Sequence, residues 1–421
     1  MHNKNISTQN TSEKTVVVIG GGIIGIASAY YLQEQGFSVT VLEKSHVASG
    51  ASFGNCGIVG PSLVFPVPQP GVILKSLKWM LKKDSPLYIQ PRLDPSLWRW
   101  LVSFALHCNT KSMRSTMDAT KNLLETSYAM YQDLFNTHAF EHPWYPKGSL
   151  LVFKTDKEFQ AHAQANKLME EYGVGGVCYE GESVNTLEPA LQKGMRGGWH
   201  YPQDAHIRPD ALMKEWSDCV RERGVNIVEH CEVQGFASTH NTLTAVHTTQ
   251  GVFPCSHVVL ANGAWSSSWN KWVGAHIPVQ PGKGYSITMD KPTGSCPSLP
   301  CFLQERKMVA TPWKDGLRLG GTMEFSGYNT HLNQTRIQAL RTGAAEYLQH
   351  SEGANAQEWF GWRPMTPSGL PLIDISPQYK NLVAAVGHNM IGLAAAPATG
   401  KLVSDLIAQK KPFIDPTPYR F

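Results

Sequence analysis

One stretch near the N-terminus, Thr15–Lys44 (TVVVIGGGIIGIASAYYLQEQGFSVTVLEK), constrains the fold more than any other. Val16–Ile19 is an apolar, β-branched run and reads as a buried parallel strand. It runs into Gly20-Gly21-Gly22-Ile23-Ile24-Gly25. A helical pattern follows to Gln35, with Gly36 at the helix end. Phe37–Leu42 reads as a second strand, closed by Glu43. The result is a β-α-β opening with G-x-G-x-x-G on Gly20, Gly22 and Gly25. Gly20 allows the tight turn, Gly22 lets a pyrophosphate approach the backbone, and Gly25 lets helix and strand pack closely. Glu43 stands where a carboxylate can accept hydrogen bonds from an adenosine ribose. The glycine pattern alone is a weak signal. With strand, helix, second strand and terminal acid in order, it predicts a dinucleotide site.

The remaining composition fits a folded protein. The chain has 421 residues, 42% of them hydrophobic and 17% charged, enough for a sizeable core in one large or two ordinary domains. A net charge of +4 gives no basic stripe, so nucleic acid is not an expected partner. Met1–Lys14 is polar, without the apolar core of a secretory signal, and reads as a loose tail. No uninterrupted apolar run reaches membrane-span length. The eight cysteines are scattered, with no C-x-x-C and no zinc spacing, as in a cytoplasmic protein with reduced thiols. No metal site is expected.

Past Glu43, the small-residue loop Ser49–Gly57 can bring backbone N–H groups close to a ligand. Prolines 61, 66, 68 and 70 then break regular structure. Gly71–Lys83 reads as a basic amphipathic helix, suited to a membrane surface or to an ordinary helix with a core-facing stripe. Helices follow over Leu97–His107 and Ser112–Phe135, the second with an aromatic and apolar packing face. His257–Ala261 reads as a strand returning to the first sheet. Asp315-Gly316 marks a hairpin turn. Leu382–Val386 is a last buried strand. It is followed by the turn Gly387–Gly392 and a helix over Ala395–Ala408, so a second βα unit closes the chain.

Four separated motifs, GGGIIGIASAYYL…LEK, VVLANGAWSS, GWRPMTPSGLPLI and GHNMIGLAAAPATGKLVSDLI, together resemble the D-amino-acid oxidase family of flavoenzymes. The resemblance runs from Thr15 to about Gln409, and the ASFGNCGIVGP loop is most similar to the bacterial D-amino-acid dehydrogenase branch. It implies an α/β fold: a Rossmann-type, GR2-like FAD-binding domain interleaved with an α+β substrate domain on a mixed or antiparallel sheet. The expected segments are 15–64, 198–270 and 360–412 for FAD, and 65–197 and 271–359 for substrate.

By matching position, the resemblance implies that Gly20, Gly22, Gly25, Ile23, Ile24, Glu43 and Lys44 hold the adenosine and pyrophosphate. Ala51, Ser52, Asn55, Cys56, Gly57 and Ile58 follow the ribityl chain and ring. Val233 meets the adenine with its backbone. Ala261, Gly263 and Trp265 lie behind the flavin. His388, Asn389, Met390, Ile391, Gly392, Leu393 and Ala394 meet its pyrimidine edge, where N–H groups stabilise negative charge on the reduced ring. Arg363 is implied to grip a substrate carboxylate, since a planar guanidinium matches it bidentately. Tyr285 and His388 are further catalytic candidates, and Met390 leaves room for an apolar substrate side chain.

Two departures from oxidase patterns matter. No cysteine stands near Trp362–Arg363, so FAD is expected to be non-covalent. The stretch Gly316–Gly320 offers Arg318 where related oxidases carry a lysine over the flavin. This favours a dehydrogenase passing electrons to a quinone or an electron-transfer protein, with peripheral membrane contact through 71–83. The rival readings are a secondary-amine oxidase or dehydrogenase, and a non-catalytic flavin subunit. An NAD enzyme would have no use for the ASFGNCG loop or the second closure.

Overall fold

The computed structural model describes residues 14–80 and 85–421. The expected tail, 1–13, and the end of the basic helix, 81–83, lie outside the described residues. Strands of the two main sheets are numbered here in chain order. The first sheet holds β1 (Thr15–Ile19), β2 (Ser38–Leu42), β7 (Asn226–Val228), β8 (His257–Leu260), β14 (Leu372–Ile375) and β15 (Leu382–Val386). Their order is β14-β15-β8-β1-β2-β7, parallel except for the edge strand β14. A sheet covered on both faces needs continuous apolar strands, and all five residues of β15 are buried.

The helices used below are α1 (Ile23–Glu34), α2 (Val72–Met80), α3 (Pro95–His107), α4 (Thr110–Thr137), α5 (Asp156–Glu171), α6 (Pro209–Glu222) and α7 (Ala396–Ile407). Helix α1 stops where Gly36 takes φ +81°, a value that suits glycine. Asp94 caps α3, accepting from the N–H groups of Ser96 and Leu97, and Asn109 caps α4 through Ser112. Helices α1 and α7 pack so closely that a Cβ on Gly400 would sit 2.5 Å from the backbone of Ala27.

The second sheet holds β3 (Leu87–Ile89), β4 (Ser149–Phe153), β5 (Val177–Glu180), β6 (Gly197–Tyr201), β9 (Gln280–Asp290), β10 (Cys301–Leu303), β11 (Met308–Pro312), β12 (Gly316–Phe325) and β13 (Gln357–Met365). Its order is β13-β9-β12-β11-β10-β4-β6-β5, with β3 beside β12. It is mixed, mostly antiparallel, as expected of the substrate side.

Two expected segment boundaries, at 198 and 360, cut through strands. Strand β6 starts at Gly197 and β13 at Gln357, and each continues past its boundary within the second sheet. Helix α4, expected on the substrate side, buries Leu123, Leu124 and Tyr131 in the core that holds α1 and α7. Partner choice is non-local: strand and helix patterns show which face is apolar, not which layer covers it.

Candidate functional site

The first glycine turn lies between β1 and α1. Gly20 has φ +110°, and a Cβ there would meet the Ala261 carbonyl oxygen at 2.5 Å. A Cβ on Gly25 would overlap the Gly20 carbonyl oxygen. Gly22, at the N-cap of α1, brings no side chain, so a ligand can come close to the helix N-terminus. The Ser52 hydroxyl accepts from the Ile23 N–H at 2.9 Å, which ties the small-residue loop to this turn. At the end of β2 both oxygens of Glu43 are held by backbone, from Gly21 at 2.8 Å and Ser45 at 2.9 Å. A carboxylate so oriented keeps further lone pairs for hydroxyl groups. The Lys44 ammonium lies 3.6 Å from the centre of the Trp265 ring.

The second turn joins β15 to α7. Asn389 takes φ +50°; its side chain accepts from the Thr366 N–H at 2.8 Å and donates to the Gly387 carbonyl at 2.9 Å. Its own N–H donates to the Pro364 carbonyl at 3.0 Å, which fixes the turn against the end of β13. His388 is buried, with Nε2 3.1 Å from the Thr399 hydroxyl. Burial pushes its pKa down to about 3, so its imidazole is neutral at physiological pH and suits positioning better than proton transfer. From α4, the Tyr131 hydroxyl donates to the Leu393 carbonyl at 2.7 Å.

Both turns open onto one cavity of about 1880 Å³. Ordinary small-ligand pockets run to ~300–1,000 Å³, so this one has room for a dinucleotide and a second molecule. Its lining includes Gly20, Gly22, Ile23, Ile24, Glu43 and Lys44 from the first turn and strand, and His388 through Leu393 from the second turn. Ala51, Ser52, Asn55, Cys56, Gly57 and Ile58 line it too, as do Val233, Ala261, Gly263 and Trp265. The Asn262 side-chain oxygen is buried on this wall without a hydrogen-bond partner, as a group awaiting a ligand would be. Two expected cofactor residues do not line the cavity. Gly25 packs against the Gly20 turn and Val18 of β1, and Ala394 is buried in the core beside α1.

Arg363, on β13, lies in the cavity wall. It is partly buried, and its Nη1 donates to the Thr322 carbonyl at 2.8 Å. Burial lowers its pKa, and among the described residues no carboxylate pairs with it. Strand β9 accommodates it through Gly284, where any Cβ would overlap the guanidinium. Opposite Gly284, β12 bulges: Gly321 pairs with Tyr285 and Glu324 with Lys283, leaving Thr322 and Met323 against one residue. Thr322 has φ +64°, a strained value for a β-branched residue, and the bulge turns its carbonyl onto Arg363. Tyr285 lines the same cavity with its hydroxyl 3.0 Å from Glu324, and burial raises its pKa. Met390 stays half exposed on the wall.

The model of the FAD dependent oxidoreductase family matches residues 15–406. The chain belongs to that family. D-amino acid dehydrogenase of Granulibacter bethesdensis is 30% identical over 406 residues, spanning 95% of this chain and 97% of the relative. D-amino acid dehydrogenase of Methylobacterium nodulans is 32% identical over 410 residues, spanning 95% and 96%. The fold is that of glycine oxidase from Geobacillus kaustophilus, with TM-score 0.75, 23% identity and coverage of 96% and 97%. It is also similar to L-proline dehydrogenase from P. horikoshii, with TM-score 0.71, 19% identity and 97% of both chains.

As a member of this family the protein is an FAD-dependent oxidoreductase, and the cavity fits that cofactor. The α1 N-terminus, with glycine at its cap, suits the pyrophosphate, Glu43 the ribose, and the orphan Asn262 oxygen a donor on the ligand. One expectation is corrected. Arg318 does not line the cavity, so it is no counterpart of a lysine over the flavin. Its side chain is 1% exposed and holds the cofactor loop from behind. It donates to the carbonyls of Phe53 and Asn55, both at 2.8 Å, to the Thr288 hydroxyl at 2.8 Å, and pairs with Asp210 of α6 at 3.3 Å. Alternation along β12 puts this side chain in the core, but nothing local in the sequence signals carbonyls more than 250 residues away.

Proposed function

We propose that this protein oxidises a D-amino acid to a 2-oxo acid and ammonia and passes the electrons to an acceptor other than oxygen, a quinone or an electron-transfer protein. The observation that carries the reading is Arg363, a partly buried guanidinium on the cavity wall with no carboxylate paired to it among the described residues. A buried, unpaired charge is costly, and a substrate carboxylate relieves that cost. The relatives named D-amino acid dehydrogenase support the substrate class.

Arg363 grips the carboxylate and, with its own position fixed by the Thr322 carbonyl, orients Cα toward the flavin. The substrate amine loses its proton on entering the cavity. Tyr285 and Met390 line the space for the remaining side chain, and Met390 favours an apolar one. The chemistry supplied by non-covalently bound FAD is acceptance of a hydride from Cα at N5, and the imine product then hydrolyses. The dehydrogenase reading also carries peripheral membrane contact through residues 71–83.

The deciding experiment is anaerobic mixing of the yellow protein with D- and L-amino acids, glycine, sarcosine, D-proline and hydroxyproline, followed by flavin absorbance. Bleaching by D-amino acids first is the expected result. Preference for the secondary amines would move the assignment to their oxidases or dehydrogenases, and no bleaching at all would leave a flavin-binding subunit. Arg363→Ala should raise the substrate KM ~100-fold or more, the loss of a charge-assisted bidentate contact, with the flavin spectrum intact. An unchanged KM removes Arg363 from the role.

A further inference from the structure

The cavity does not end at the residues assigned so far. It continues over the second sheet, away from β13, along a row of paired positions: Gly320 on β12, Val309 on β11, Phe302 on β10 and Leu151 on β4. Neighbouring strands lie ~4.8 Å apart, so the row reaches ~14 Å past β12. The residues next to these, Leu150, Cys301, Ala310 and Leu319, belong to the core on the other face of the sheet. Cys56 of the flavin loop sits against Gly320, where a Cβ would lie 2.4 Å from its Sγ, so the row begins beside the cofactor loop. Helix α5 adds His162 and Ala165 to the lining of this arm.

The arm is apolar along its floor but carries a cation. Lys307, in the turn from β10 to β11, lines the cavity and is accessible. Burial nevertheless lowers its pKa, so the space it reaches is the cavity and not open solvent. Its ammonium donates to the Gln304 side-chain oxygen at 2.9 Å. Among the described residues no carboxylate is paired with it, which leaves two of its three N–H groups for a ligand. The acids nearest in effect are already engaged. Glu158 lies 3.9 Å from Lys75 of α2, and Glu305 accepts from the Lys154 and Thr155 N–H groups at 3.0 and 2.9 Å and from the Tyr347 hydroxyl.

The turn holds Lys307 in a fixed and unfavourable shape. Its φ is +50°, a left-handed value that a lysine adopts at a cost. The two residues before it are clamped, Glu305 as above and Arg306 by Glu346 at 3.0 Å. The same turn packs on the bulge that serves Arg363. A Cβ on Gly321 would lie 3.2 Å from the Lys307 carbonyl oxygen, and the next carbonyl, that of Thr322, accepts from Arg363. Two cations therefore flank one short stretch of β12, and both face the cavity.

We propose that this arm is a side-chain subsite for an amino acid with a second carboxylate: Arg363 holds the α-carboxylate, and Lys307 meets the carboxylate at the end of the side chain. The preference drawn from Met390 then concerns the apolar stem between the two. The division of roles rests on the functional reading above; the anion site at Lys307 does not.

The test uses the FAD-loaded protein with a soluble dye as electron acceptor. Values of kcat/KM are compared for D-glutamate, D-2-aminoadipate and D-2-aminopimelate, each against its own ω-amide. The best acid should exceed its amide at least ~10-fold, the worth of a charge-assisted contact. In Lys307→Met that ratio should fall towards one. A lysine that only braces the turn would slow acid and amide alike in the variant and leave the ratio as in wild type, and that result overturns the subsite. A wild-type ratio near one overturns it too. Should Lys307→Met fail to fold, the wild type decides alone: glutarate should perturb the flavin spectrum at a concentration at least ~10-fold lower than its monoamide. Equal concentrations overturn the anion site. Absence of flavin bleaching by any amine defeats the functional reading instead, while the comparison of glutarate with its monoamide still decides whether Lys307 faces an anion.

Discussion

Arg363, partly buried on the cavity wall, and Asp204, fully buried, carry charge away from water in different ways. Arg363 keeps its proton, and the Thr322 carbonyl accepts from it. Asp204 keeps its proton to higher pH than an ordinary carboxyl: burial pushes its pKa up to about 6, although the Ser149 and Ser62 hydroxyls, at 2.6 and 2.5 Å, and the Ser62 N–H at 3.2 Å pull it back part of the way. Between the ordinary carboxylate value and about 6, only the folded state holds the proton. The stability this adds is therefore complete below the unfolded pKa and is lost as pH rises through about 6, leaving a penalty of about 3 kcal/mol at neutral pH. Asp204→Asn should then stabilise the protein by ~1–3 kcal/mol at pH 8 and by almost nothing at pH 4, read from urea melts at the two pH values. A gain of equal size at both would show that Asp204 is not the titrating group. At this scale the sequence was legible where a residue sits in its own motif, as Arg363 does in GWRP, which the fold places on the cavity wall. It was silent on Thr322, whose strained φ exists only because a bulge forms across from Gly284.

The elements were read well and their neighbours less well. Strand β15 and helix α7 stand where periodicity and the closing glycine turn put them, but the assignment of β6, β13 and α4 to layers needed the folded chain. Gly400 is a case in which local and tertiary reasoning disagree in sign. In the interior of α7, replacing glycine by alanine gains ~1 kcal/mol from helix propensity. The structure opposes this, because the new methyl would press on the Ala27 backbone of α1, and backbone cannot swing aside. Overpacking of this kind costs ~1–3 kcal/mol. The expected outcome is a lower melting temperature for Gly400→Ala, with weaker FAD binding because α1 presents Gly22 through Ile24 to the cofactor. A variant that melts higher than wild type would mean that α1 and α7 have slack between them.

For the molecule as a whole, the cavity is a seam between two sheets, and side chains of the second sheet reach across it, Thr311 to the Cys56 carbonyl at 2.8 Å and Arg318 most extensively. Arg318 belongs to the second sheet, yet it holds the carbonyls of the loop that leaves the first, and Asp210 at the start of α6. With these contacts the loop carrying Asn55, Cys56 and Gly57 is set before FAD arrives. Charge-assisted hydrogen bonds of this kind contribute ~1.5–3 kcal/mol each, and a loop left free must be ordered by the ligand at a cost in affinity. Arg318→Met keeps much of the packing and removes the donors. Asp210 retains Arg208 at 3.2 Å, so no carboxylate is left alone. FAD should therefore bind at least about tenfold more weakly to this variant, a loss of ~1.4 kcal/mol. Since FAD stabilises only the state it binds, the difference in melting temperature between FAD-saturated and FAD-stripped protein should also shrink relative to wild type. Arg318→Lys should recover part of both, because an ammonium restores a charge but not the fork that reaches two carbonyls and a hydroxyl together. If the stripped protein loses as much stability as the loaded one while FAD affinity stays put, Arg318 belongs to the second sheet's core alone, and the two halves are held together by the cofactor and their packing.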